Sequence, residues 1–347
     1  MSSVHVAPTV PADACRVERL SAGRADGVEI VGLIAGDFIA TVCPTRGMGL
    51  LDFCRRGSDG SPAIDLSWDA PIGRGPVHPS LVSLDSRGGL GWLDGFNELI
   101  ARCGLSFNGP PGHDENGPPL EQHVTLHGRI ANLPATSASV AMEGDAVVCR
   151  GVVHEATLFG ASLTLATTIT LSPDGTLRVQ DVVSNPSARP QEMQLLYHIN
   201  VNPLRLARSS NSAADLTLTP PPGPMQPRDE TAAAGLDSWT RIDPPTPGYA
   251  EQVFFVTPED DGSGRAATTL AGEDGQSLTV RQQLDTLPSL SIWKCFQPEA
   301  DGYVLGIEPG TGFPNFKADE RTAGRVVTLQ PGESRSHEIE LSLGGPA

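Results

Sequence analysis

The sequence predicts an all-β fold, and three observations carry that prediction. The 347 residues include 38 Gly and 31 Pro, so turn formers are frequent and long helices have little room. Several segments alternate apolar and polar residues at strand length, and turn residues bound them. No stretch of helix length shows a competing 3.6-residue amphipathic period.

From Val28 to Phe53, "GVEIVGLIAGDFIATVCP" and its continuation run apolar in short pieces broken by glycines, as a meander would. The region from about 71 to 125 is glycine-rich, poor in periodicity and full of polar and aromatic residues. A loop region that long is expected to carry function. The clearest β signal is "GASLTLATTITLSPDGTLRVQDVVSN". Leu163, Leu165, Thr167 and Ile169 share one face, and "SPDG" turns the chain into a second strand. "QEMQLLYHINVN" supplies a further strand after the turn-forming "NPSARP". The proline-rich "PPPGPMQPRDETAAAGLDSWTRIDPPTPG" reads as a surface excursion without chemistry. "GRVVTLQPGESRSHEIELSL" closes the chain as strand, turn, strand.

A formal net charge of -17 argues against nucleic acid or an anionic membrane as partner, because both need a basic surface. The N-terminal segment lacks a basic region followed by an apolar one, and no run is long enough to span a bilayer, so a cytoplasmic protein is expected. The cysteines Cys15, Cys43, Cys54, Cys103, Cys149 and Cys295 show no CxxC spacing, which suggests reduced, mostly buried thiols. No Walker lysine, dinucleotide-binding glycine pattern or GxSxG elbow is present.

Three residues stand out for chemistry: His127 in "TLHGRI", His198 in "LLYHINVNPL" and Glu308 in "GYVLGIEPGTGFPN". Each follows an apolar or alternating run and precedes a Gly, Asn or Pro turn, so strand ends meeting at one rim could gather them. One histidine near an apolar run is more often a satisfied core residue than a catalyst; three such placements shift the balance. A sheltered carboxylate beside an imidazole suits reversible proton shuttling on a neutral polar substrate such as a sugar, with no cofactor. Trp92, Phe96, Phe107 and Trp293 could stack on a pyranose ring, although Phe96 and Phe107 read as core and Lys294 should point away from Trp293.

The pattern of "LHG", then "LRVQDVVSN" and "MQLLYHINVNPL", then "GIEPGTGFPN" resembles the aldose 1-epimerases, the galactose mutarotase-like family, in a divergent branch. The resemblance implies a large antiparallel β-sandwich of the supersandwich type, one domain over residues 1–347, acting on a small-molecule sugar. It also implies Glu308 as general base at the anomeric hydroxyl, His198 as general acid at the ring oxygen and His127 as a sugar ligand. By the same resemblance Arg102, Asn97, Arg46 and Asn315 become candidate sugar-binding residues; Trp293, in "SIWKCF" just before the Glu308 stretch, is placed by its own position to line the pocket. Two departures, the missing aromatic after His198 and "EPGTGFPN" in place of Glu-Pro-Gln, point to a sugar other than galactose or glucose.

Alternatives remain at this point. Glu121, His123 and His127 are evenly spaced and would share one strand face as a metal set, which would favour a metal-assisted sugar lyase or isomerase. A non-catalytic carbohydrate-binding protein is the other. A phosphorylated sugar would need a basic pocket, for which Arg46, Arg74, Arg87, Arg102 and Arg129 are available.

Overall fold

The computed structural model describes residues 4–57, 62–68, 70–73, 75–206 and 212–345; Arg74 lies outside them. Among these, strands assemble into a nine-stranded and a twelve-stranded sheet. Apart from the short parallel pairing of Val4–Val6 with Ser137–Glu143, neighbouring strands run antiparallel. One core cluster joins the sheets. Val147, Cys149, Leu165 and Ile339 come from the nine-stranded sheet, and Leu195, Tyr197, Ile292 and Ile307 from the twelve-stranded one. This is the sandwich the sequence leads one to expect.

The predicted meander forms as Glu29–Ala35, Phe38–Cys43 and Gly49–Arg56. The predicted hairpin forms as Ser162–Leu171 and Thr176–Ser184, with Leu165 opposite Val183 and Ile169 opposite Val179. The two C-terminal strands part company: Val327–Leu329 pairs with Gln191–Val201, whereas Ser334–Gly344 enters the nine-stranded sheet. All six cysteines are free. No helix among the described residues is long and apolar enough to cross a membrane.

The 71–125 region is not all loop. Its Ile100–Leu105 segment is a strand inside the twelve-stranded sheet, paired with Gln191–Val201. Part of the region covers that sheet's outer face. Trp92 and Phe96 from it join Trp68 in a second apolar cluster, packed on Ala101, Cys103, Leu196 and Val304. Because both faces are thereby dry, the central strands of this sheet carry little apolar and polar alternation.

Candidate active site

The strand Gln191–Val201 sends Met193, Leu195, Tyr197 and Ile199 into the sandwich core. Its alternate residues Leu196 and His198 therefore face outward. The neighbouring strand Val304–Gly310 sends Leu305 and Ile307 inward and presents Gly306 and Glu308 outward. The register places Leu196 opposite Gly310 and Ile199 opposite Ile307, so His198 lies across from Glu308. Ala101 flanks His198 on one side, and Ser291, then Phe255, flank Glu308 on the other. The two ionisable residues thus sit in one cross-strand row on the sheet's outer face. They lie within their strands, not at the ends, so the expected rim of strand ends is replaced by a covered face.

His198 Nε2 is 3.3 Å from Glu308 Oε1. Both side chains are buried, and His198 Nδ1, Glu308 Oε1 and Ser291 Oγ are buried without a hydrogen-bond partner. Aromatic rings surround the imidazole: Phe96 at 4.8 Å, Trp293 at 5.2 Å and His127 at 5.6 Å between centroids. Trp92 lies 4.4 Å from Phe96 and 4.9 Å from His127. Phe96 is therefore a wall of the site and not merely core. Phe107 packs on Phe316 and belongs elsewhere.

This enclosure dictates the ionisation. Burial, helped by the charge of Glu251 and opposed by Arg228, pushes the Glu308 carboxyl up to about 8. Burial, then the neighbouring His127, holds His198 well below the usual imidazole value. Burial also lowers His127 to about 4. At neutral pH the pair therefore carries one transferable proton and no net charge. His127 sits in a loop with φ +55°, and its Nδ1 faces Asn108 Oδ1 at 3.0 Å, which puts the proton on Nδ1 and leaves Nε2 as acceptor.

Gly306 makes room for the carboxyl. A methyl there would approach Glu308 Oε1 to 2.5 Å and Trp293 Cβ to 3.0 Å. Gly306→Ala is expected to displace the carboxyl and to lower any turnover that depends on the pair by about 10-fold or more, since a small misplacement of such a group is costly. Steady-state rates beside a melting curve check it: a wild-type rate in a folded variant would contradict this packing.

Several sequence candidates have other work. Arg102 points into the sandwich, where Asp181 receives Nε at 2.5 Å and Nη2 at 3.1 Å, Met48 O accepts Nη1 at 2.6 Å and Thr167 Oγ1 accepts Nη2 at 3.0 Å. Arg46 is buried and pairs with Glu98, with its remaining donors on Val77 O, Asn132 Oδ1 and Gly95 O. All five donors of Arg102 are thereby engaged, Gly47 O included, and four of the five of Arg46. Asn97 Nδ2 donates to Gly73 O at 3.0 Å and to Gly75 O, pinning the loop beside the site. Asn315 Nδ2 donates to Glu320 Oε1 at 2.9 Å and shapes the 311–316 loop. Arg87 pairs with Asp94 and Arg129 with Glu121. Lys294 points away from Trp293, as expected, and its Nζ lies 3.4 Å from Asp243.

The alternative metal set does not assemble. Only His123 and Val124 are strand residues there, so Glu121, His123 and His127 share no strand face. Glu121 is engaged by Arg129 and by the amide of Ala161, His123 packs on His113, and His127 turns to His198. Among the described residues no group of three or more His, Cys, Asp or Glu could hold a metal ion.

Two residues the sequence did not flag reach the site, Arg228 from the proline-rich segment and Glu251 from just beyond it. Met225–Pro227 forms the edge strand against Gln252–Val256, where a proline is tolerated, and Arg228 N continues the pairing to Val253 O at 2.9 Å. Arg228 Nη2 meets Glu251 Oε1 at 3.0 Å, and Glu251 Oε2 accepts from Trp293 Nε1 at 3.0 Å. The segment is thus part of the site. The "PRDE" charges inside the proline-rich run were the available signal for Arg228. A separate cavity of about 380 Å³, lined by Phe107, Asp114, Glu121, Glu192 and Lys317 among others, includes none of the residues around the His198–Glu308 pair.

Comparison with known proteins accords with the fold. Residues 25–343 match a family described as a domain of unknown function, DUF4432. A crystal structure from Klebsiella pneumoniae, provisionally named an aldose 1-epimerase, is 30% identical, with 95% of this chain and 83% of that chain covered and a TM-score of 0.85. A galactose mutarotase-like protein from Clostridium acetobutylicum is 15% identical over 96% of this chain and 98% of its own, with a TM-score of 0.62. A galactose 1-epimerase from Lactobacillus acidophilus is 12% identical over 96% of this chain and 99% of its own, with a TM-score of 0.56. The last two speak for the fold alone. No curated protein matches the chain.

Proposed function

The chain belongs to the DUF4432 family, a divergent branch of the galactose mutarotase-like aldose 1-epimerases, and on that premise we propose that it interconverts the α and β anomers of a sugar. The observation that carries the reading is the buried cross-strand pair, with His198 Nε2 3.3 Å from Glu308 Oε1 inside an aromatic wall. Moving one proton across that gap converts the neutral pair into carboxylate and imidazolium. The carboxylate takes the proton of the anomeric hydroxyl as the bond from C1 to the ring oxygen breaks and the C1 carbonyl forms. The imidazolium gives its proton to the departing ring oxygen. After rotation about the C1–C2 bond the steps run backwards on the other face of the carbonyl, and the pair is restored. His127 Nε2, an acceptor at neutral pH, is assigned to a sugar hydroxyl, and the indole of Trp293 to the apolar face of the ring. Arg46, Arg102, Asn97 and Asn315 are assigned to holding the site in place.

The mechanism requires the pair to hold one proton, which sets the pH dependence. The rate is expected to stay level across neutral pH and to fall about tenfold per unit above the Glu308 value of about 8. On the acid side it falls only well below the ordinary imidazole range, once His198 is also protonated. Anomeric exchange followed by magnetisation-transfer NMR over a panel of aldoses and ketoses, at graded pH, tests both claims. A rate that climbs with pH through about 8 would mean that the doubly deprotonated pair is competent, against this scheme.

A further inference from the structure

Trp293 is held from outside the catalytic row. Its indole N–H donates to Glu251 Oε2 at 3.0 Å, Glu251 Oε1 accepts from Arg228 Nη2 at 3.0 Å, and Arg228 Nε donates to Asp229 Oδ2 at 2.8 Å. Asp229 Oδ1 in turn accepts from Ala232 N at 2.9 Å and caps the short helix Glu230–Ala234. The chain of contacts ends on an indole that stands at 85° to the His198 ring, 5.2 Å away. Trp293 grows from the strand position opposite Gly306 and Val253, where the glycine offers no side chain to fix it. Packing on Phe96, His198 and the Val253, Phe255 and Phe313 cluster confines the ring, and its one hydrogen bond fixes which way the indole N–H points.

We propose that Glu251, secured by Arg228, is a positioning residue that turns the Trp293 indole against His198 and holds its own carboxylate on the edge of that indole, beside the His198–Glu308 row. The ionisable and charged groups around Glu308 come from five places. His198 lies on the adjacent strand, His127 on the covering loop, Cys103 on the Ile100–Leu105 strand, Glu251 at the start of the Gln252–Val256 strand, and Arg228 with Asp229 on the edge segment. Of these, Glu251 works with burial to retain the Glu308 proton, and Arg228 works against it. Glu251 and Arg228 are partly exposed, so solvent screens their influence and the effect of each is well below that of burial. The catalytic consequence rests on the mutarotase reading, but the placement and the charge effect do not.

The test is therefore made first on the free protein. The Glu308 side-chain carboxyl is titrated by carbon NMR, and the Trp293 indole N–H is followed by nitrogen NMR, its signal assigned with Trp293→Phe. Glu251→Gln keeps an acceptor for the indole and removes the charge. It should lower the Glu308 midpoint by roughly 0.1 to 0.7 pH unit and leave the indole signal in place. Glu251→Leu should lower the midpoint similarly and also move the indole signal. Arg228→Gln should shift the midpoint the other way. On the sugar of the panel that the wild type accelerates most, Glu251→Leu should then lose about 10-fold in kcat and Glu251→Gln less than about 3-fold. Shifts of the same sign in the Glu251 and Arg228 variants, or an indole signal unmoved by Glu251→Leu, would overturn the proposal. If no sugar is accelerated, the mutarotase reading fails while the two NMR readouts still decide the positioning role.

Discussion

Glu308→Gln is expected to slow anomeric exchange by about 1,000-fold, the scale of losing a positioned acid or base, while making the protein harder to melt at alkaline pH. The two effects have one cause. The folded protein holds the Glu308 proton up to about 8, whereas the ordinary carboxyl value is 4.5. Between those two values the folded state binds a proton that the unfolded chain has released. Stability contributed by this group is thus fully present below the ordinary value and is lost as pH rises through the folded value, by about 1.4 kcal/mol per unit at most. Glutamine has no proton to lose. The melting temperature of Glu308→Gln should therefore equal that of wild type near about pH 5 and exceed it by roughly 5 °C near about pH 9. His198 and His127 act in the opposite window, because their lowered values cost stability as pH falls below the ordinary imidazole range. The difference between wild type and Glu308→Gln isolates the carboxyl. A melting difference that is flat across pH would mean that Glu308 is ionised normally.

Arg102→Met is expected to lose about 3 to 5 kcal/mol of folding stability, because it strands the Asp181 carboxylate in the dry interior. Arg102 and Asp181 are both fully buried, and Tyr197 Oη, at 2.9 Å, and Thr167 also depend on Asp181. Any folded fraction should retain the wild-type KM, since Arg102 faces the core and not the sugar. Urea unfolding together with KM decides between the two roles this residue has had. A variant of wild-type stability with a raised KM would restore it to the sugar site.

How far the site could be read in the sequence follows from which residues declare their own environment. Glu308 and His198 stand out because each interrupts an apolar strand with a group that water would otherwise hold. Their facing each other could not be read, since it depends on a register between strands that are remote in the chain, which only the folded sheet sets. The hairpin from Ser162 to Ser184 was legible because alternation and turn coincide within one segment. The Ile100–Leu105 strand was hidden for the opposite reason. It is buried on both faces, and its Arg102 is neutralised by Asp181, which lies 79 positions further on. The same holds for Arg46, whose partners lie 52 and 86 positions away. An arginine in isolation advertises a binding site; paired inside a sandwich it is part of the core. Arg228 escaped notice because prolines mask the edge strand that carries it to the site.

The measurement that bears most directly on the account is magnetisation-transfer NMR of anomeric exchange over the sugar panel, run on wild type, Glu308→Gln and His198→Asn. The account predicts that wild type accelerates exchange of at least one sugar and that both substitutions abolish the acceleration in proteins that remain folded. Acceleration of no sugar, or acceleration that survives the loss of Glu308, would contradict it.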